Sequence, residues 1–163
     1  MKKLLFVLPL VALISQMAAA QTVDDLFNKY KDKDYALYTT IPPDSLMCKD
    51  SYKGSKVFFA ESLSIAEIDM EEFQNDLGAL KGYEKVDLME HATIRNELER
   101  EFLDYWIQNG LACYARRRGR VWTESLLVVP VNGIWTIVHV KGRLKDRVFR
   151  TDVNLEATLA DPE

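Results

Sequence analysis

The dipeptide Asn132-Gly133 stands between two apolar runs near the C-terminal end of a 163-residue chain. Asn and Gly both tolerate the positive φ that a two-residue type I′ hairpin requires at its central positions. The run before the pair, Val121 to Val129, and the run after it, Ile134 to Val140, are rich in β-branched and aromatic residues. Such side chains suit a pleated, half-buried surface. A second turn near Arg118-Gly119 joins Leu111–Ala115 to the first of these runs. A three-stranded antiparallel meander over Leu111–Gly142 is therefore predicted. The pattern carries no catalytic signature, so function has to be sought in what the meander displays.

Residues 1–20 read as a leader. Lys2-Lys3 gives a charged start, Leu4 to Ile14 an apolar stretch, and Ala18-Ala19-Ala20 the small residues that signal peptidase requires. Cleavage is expected after Ala20. The apolar stretch is shorter than the roughly 20 residues of a membrane span, and no cysteine follows the cleavage point to take a lipid. A periplasmic or secreted location is expected, with 21–163 as one α+β domain and no membrane span. The mature chain has 19 basic and 25 acidic residues, which argues against nucleic acid as a partner. Two cysteines, Cys48 and Cys113, lie in this part. In an oxidising compartment they allow one disulfide; the alternative reading is two buried free thiols, since cysteine often serves as a small core hydrophobe. Neither has a Cys or His at ligand spacing, so no metal is expected, and no motif calls for a cofactor.

Helical signals precede the meander. Val23, Leu26, Phe27 and Tyr30 form an i, i+3, i+4, i+7 stripe behind a capping Thr22. Asp69 to Leu80 is predicted helical, with Phe73, Leu77 and Leu80 inward. A longer helix capped by Thr93 is predicted to bury a stripe of Ile94, Leu98, Phe102, Tyr105 and Trp106, widened by Leu103 and Ile107, ending at Asn109-Gly110. Strands are expected over Tyr35–Ile41, Lys56–Ala60 and Tyr83–Met89, and a helical turn over Asp44–Met47. The fold class is thus α+β: an antiparallel sheet ending in the meander, with helices packed mainly on one face. The leader, Leu26-Phe27-x-x-Tyr30, Ser45-Leu46-Met47, Glu124 to Val129 and Val138-x-Val140-x-Gly142 together resemble a family of small exported domains of unknown function from bacteroidete bacteria, or a sister family. The span from Gly110 to Glu124 is shorter than that pattern. The resemblance implies a Gram-negative envelope location and brings no catalytic residues.

Charge is segregated along the chain. Glu61–Asp104 holds 13 acids and 4 bases, whereas Leu111–Arg150 holds 9 bases and 2 acids. With Asn132-Gly133 as the turn, Leu126 is predicted opposite His139, Glu124 opposite Lys141 and Trp122 opposite Arg143. Arg116, Arg117, Arg118, Arg120, Arg143 and Lys145 then converge at one end of the sheet beside Trp122. Arginine favours bidentate contact with anions. The same parity puts Trp122, Leu126, Val128, Trp135, Ile137 and His139 on one face.

The leading expectation is a non-enzymatic envelope domain that binds an anionic glycan or phosphate group, or an envelope protein, through the sheet. The alternative is a small hydrolase-like enzyme using His139 or the acidic cluster Glu67, Asp69, Glu71 and Glu72. The cluster also reads as a solvated helix start. His91 and His139 lack the third group of a catalytic set, and no nucleophile motif is present.

Overall fold

The structure, a computed structural model, describes residues 21–153; the expected leader lies outside them. α1 (Val23–Tyr30) begins at Thr22, whose hydroxyl accepts from the Asp25 N–H while the Asp25 carboxylate accepts from the Thr22 N–H. This reciprocal cap satisfies two otherwise orphaned donors. β1 (Ala36–Thr40) ends before Pro42-Pro43, and α2 (Pro43–Met47) starts on that proline pair. A 3-10 turn (Asp50–Tyr52) leads into β2 (Lys56–Ile65), which runs past the expected Ala60. α3 (Met70–Gly78) is capped by Asp69, which accepts from the Glu72 N–H.

Of the strand expected over Tyr83–Met89, only β3 (Glu84–Lys85) forms. The Asp87 carboxylate accepts from the Met89 and Glu90 N–H groups, and this side-chain turn ends the ladder. Thr93 does not cap the long helix, because it pairs within β4 (Ala92–Thr93). Asn96 caps α4 (Glu97–Gln108) instead, accepting from the Glu99 N–H. β5 (Ala112–Arg118), β6 (Val121–Val131) and β7 (Ile134–Leu144) form the meander, followed by a second 3-10 turn (Asp146–Phe149) and β8 (Thr151–Asp152).

The main sheet runs β1-β2-β7-β6-β5-β3 with every pair antiparallel, while β4 and β8 pair in parallel apart from it. The Asn132-Gly133 turn is present, with φ of 51° and 78°. Leu126 pairs with His139 and Glu124 with Lys141 as the hairpin dictates. Trp122, however, pairs with Leu144 rather than Arg143, because the register shifts between Trp122 and Glu124. An extra residue in one strand turns the side chains beyond it to the other face. Trp122 therefore leaves the Leu126–His139 face and packs edge-on against Phe149.

Both faces of the sheet are covered. α1 and α3 pack on the face bearing Leu63, Ile65, Leu126, Val128, Trp135 and Ile137. On the opposite face, α2 and the two 3-10 turns cover Val57, Ala60, Val140 and Leu144, and Val86, Leu88 and Phe149 cover Cys113 and Ala115. Gly142 is required by packing: a Cβ there would stand 2.1 Å from the Lys56 carbonyl oxygen. β2 approaches β7 this closely beside its own register shift between Val57 and Phe59.

α4 is turned relative to expectation. It buries Leu103 and Glu99, while Leu98, Phe102 and Tyr105 are exposed. The disulfide allowed by the sequence is absent. Cys48 is a free, exposed thiol at the end of α2, and Cys113 is a free, buried thiol on β5.

Candidate functional site

Two polar features are built on this frame. The first is a string of side chains crossing the face that α1 and α3 cover. His139 is opposite Glu61 in the β2–β7 ladder, with Glu124 one step along β6. The ring has no exposed surface (0%). Its Nδ1 lies 2.9 Å from Glu61 Oε1 and its Nε2 lies 2.9 Å from Glu124 Oε2. Each ring nitrogen thus lies within hydrogen-bond distance of a carboxylate oxygen. Tyr38 donates to Glu61 Oε2 at 2.8 Å, and Tyr83 donates to Glu124 Oε2. The outer oxygen of Glu124 faces Arg116 Nη1 at 3.5 Å. Arg116 in turn lies 5.1 Å from the Tyr83 ring centroid and donates to the Lys81 carbonyl.

Burial pushes the Glu124 carboxyl up, but the hydrogen bonds from His139 and Tyr83 outweigh it and bring the group down to about 2. Burial first, and the Glu124 carboxylate second, push the Tyr83 hydroxyl up. The hydrogen bond to Glu61, then burial, push the Tyr38 hydroxyl up. His139 and Glu124 border a cleft of about 230 Å³ beside the start of α1, and of the two only Glu124 keeps any exposed surface there.

The second feature is a groove of about 440 Å³ where the start of β2, the start of β6 and the end of β7 meet. Lys56, Arg120, Arg143 and Lys145 line it, with Trp122 in its wall. Lys56 and Arg143 are direct cross-strand partners. Like charges placed directly opposite each other in a ladder are destabilising. Among the described residues none of the four cations makes an ion pair with an acid. The one acid in the lining, Asp146, accepts from the Trp122 indole N–H at 2.7 Å.

The seven residues marked from sequence thus divide. Arg120, Trp122, Arg143 and Lys145 share the groove. Arg116 belongs to the His139–Glu124 string, and Arg117 pairs with Glu84 at 3.5 Å while lying 5.3 Å from the Trp122 ring centroid. Arg118 is exposed outside the groove lining. Sequence reasoning missed Lys56, because only the β2–β7 register brings it to Arg143. It also missed Glu61 and Glu124 as partners of His139, although Glu124 sits at an inward parity position two residues from Leu126, and an acid at such a position needs a partner.

Within the acidic cluster Glu67 and Glu71 are exposed, while the other two serve the fold. Asp69 caps α3, and Glu72 pairs with Lys29 at 2.6 Å. Among the described residues no group of His, Cys, Asp and Glu side chains is arranged to hold a metal ion, and no helix is long and apolar enough to cross a membrane. No family model, curated protein or solved structure matches this chain.

Proposed function

We propose that this chain is an exported, non-enzymatic binding domain that takes an anionic group, a phosphate or a carboxylate, in the groove of Lys56, Arg120, Arg143 and Lys145. The observation that carries the reading is the direct opposition of Lys56 and Arg143, neither of which forms an ion pair among the described residues, while Asp146, the one acid in the lining, is engaged by the Trp122 indole N–H. A bound anion relieves that repulsion, and two guanidiniums offer bidentate geometry to phosphate or carboxylate. Lys2-Lys3, the apolar stretch to Ile14 and the Ala18–Ala20 site support export, which would bring the domain among anionic glycans and envelope proteins. The resemblance to small exported bacteroidete domains agrees with that location.

The hydrolase reading draws less support. Both ring nitrogens of His139 are occupied and the ring meets no solvent. Glu124, brought down to about 2, is a weak base at neutral pH. Within the Glu67–Glu72 cluster, Asp69 and Glu72 cap and pair within the fold.

The test is titration calorimetry of residues 21–163 with inorganic pyrophosphate and with an oligoglutamate peptide at low and high salt. At least one probe binds, more weakly as salt rises, and Arg120→Glu with Arg143→Glu abolishes the binding. Arg118→Glu, outside the groove, serves as the control and retains it. Equal binding by the groove variant, or no binding of either probe to the parent chain, overturns the reading.

A further inference from the structure

α4 carries a second surface, independent of the basic groove. Its sequence is amphipathic, yet one edge of its apolar stripe meets solvent: Leu98 is 63% exposed, Phe102 39% and Tyr105 63%, whereas Glu99 is 3% exposed. These three residues follow the i, i+4, i+7 spacing that lines up on one helical face.

The rotation of the helix is set by Glu99. Its carboxylate accepts from the Arg95 backbone N–H at 2.7 Å and from Arg95 Nη1 at 3.2 Å. Arg95 also donates to the Val153 carbonyl at 2.9 Å and to Asp152 at 2.8 Å, tying the start of the helix to β8. Turning α4 to bury Leu98 would break this network, giving up the contacts of Glu99 with Arg95 and the tie from Arg95 to Asp152 and Val153. Leu103 is buried on the inner side and Ile107 packs toward Val86 and Leu88. The outward stripe is therefore a fixed feature of the fold.

Its borders are acidic. Glu97, Glu101 and Asp104 are all exposed around it. Arg100, the one base among them, is taken by Glu97 at 3.6 Å, and Asp104 accepts from Gln108. Glu101 lies between Leu98 and Tyr105 on the same line of the helix and has no ion-pair partner among the described residues. A surface that alternates apolar anchors with carboxylates matches an amphipathic helix whose apolar face is edged with lysine or arginine. It repels an anionic membrane surface, and a second copy of α4 would bring the same acids against one another.

We propose that the Leu98–Phe102–Tyr105 face of α4 docks a cationic amphipathic helix of a partner protein. The probe is a fluorescent synthetic helix of leucine and lysine, with leucines at i, i+3, i+4 and i+7, read by anisotropy against residues 21–163. Binding is expected. Leu98→Ser with Tyr105→Ser weakens it about tenfold or more, because anchors near the centre of such contacts dominate affinity. Glu101→Lys with Asp104→Lys, which leaves the apolar anchors in place, weakens it to a similar degree. Circular dichroism melts of these surface variants match the parent and show that the fold is intact. Peptide binding that survives the serine substitutions is charge attraction alone and overturns the proposal. Capture by phosphatidylglycerol vesicles that the serine substitutions abolish, or self-association of the domain that they abolish, assigns the face to a membrane or to a second copy and likewise overturns it.

Discussion

Glu124 reaches from β6 to His139 on β7, Oε2 to Nε2 at 2.9 Å, and this contact helps bring a half-buried carboxyl down to about 2. The ordinary value is 4.5. A carboxyl lowered in the folded state adds stability that is complete above its unfolded value and is lost as pH falls through the folded one. Stability should therefore decline from about pH 5 towards pH 2, by on the order of 1–2 kcal/mol from this group after allowing for its partial contact with water. Glu124→Gln removes that component. Urea midpoints measured at several pH values check it, and an acid limb of the same steepness in the variant would refute the assignment.

Removing the imidazole has a larger effect than removing Glu124. His139→Leu leaves Glu61 and Glu124 facing each other across a dry sheet without a donor between them. Breaking such a buried array by deleting one member costs about 3–5 kcal/mol. For a chain of this length that corresponds to a fall in Tm of about 10 °C or more. Replacing Glu61 and His139 by Leu together with Glu124→Gln recovers most of the loss, since an apolar substitute needs no partner. Thermal melts decide it; a single variant within about 1 kcal/mol of the parent would show that no desolvated charge resides there.

How far the sequence foretold this arrangement differs from element to element, for physical reasons. The β6–β7 register follows from Asn132-Gly133, because a two-residue turn leaves no freedom in pairing. The pairing follows the turn as far as Glu124 and departs at Trp122, since a bulge has no signature in the residues on either side of it. α1 was legible to its cap. α4 was legible as a helix but not in its rotation: the apolar stripe predicts which side to bury, and the Arg95–Glu99–Asp152 network, 57 residues apart in its outer contact, overrules it. The groove was half legible. Arg120, Trp122, Arg143 and Lys145 were gathered by hairpin geometry, whereas Lys56 arrives through a strand pairing 87 residues distant that no local pattern encodes. The bridge between His139 and Glu61 was hidden for the same reason.

Two glycines give opposite expectations. Gly142→Ala places a Cβ 2.1 Å from the Lys56 carbonyl oxygen and 3.0 Å from Val57 Cα, both backbone atoms that cannot swing aside. β2 must separate from β7, which costs about 2 kcal/mol or more. At Gly78, the last residue of α3, an added methyl would meet nothing within 4 Å. Gly78→Ala stabilises by up to about 1 kcal/mol through helix propensity. Chemical denaturation of both variants checks the contrast; equal midpoints would contradict the close approach at Gly142.

The two thiols should differ sharply in reactivity. Cys48 is exposed at the end of α2 and its thiol donates to the Ser45 carbonyl at 3.1 Å. Cys113 lies under Val86, Leu88 and Phe149, and burial pushes its thiol up to about 12. The thiolate is the reacting species, so Cys113 is protected twice, by cover and by protonation. Intact mass after iodoacetamide at neutral pH, without reductant, should show one adduct on the native protein and two in guanidinium. Tryptic mapping should place the first on Cys48. No adduct in guanidinium without reductant would mean that the two sulfurs are joined, which requires the end of α2 and β5 to meet as they do not in this structure.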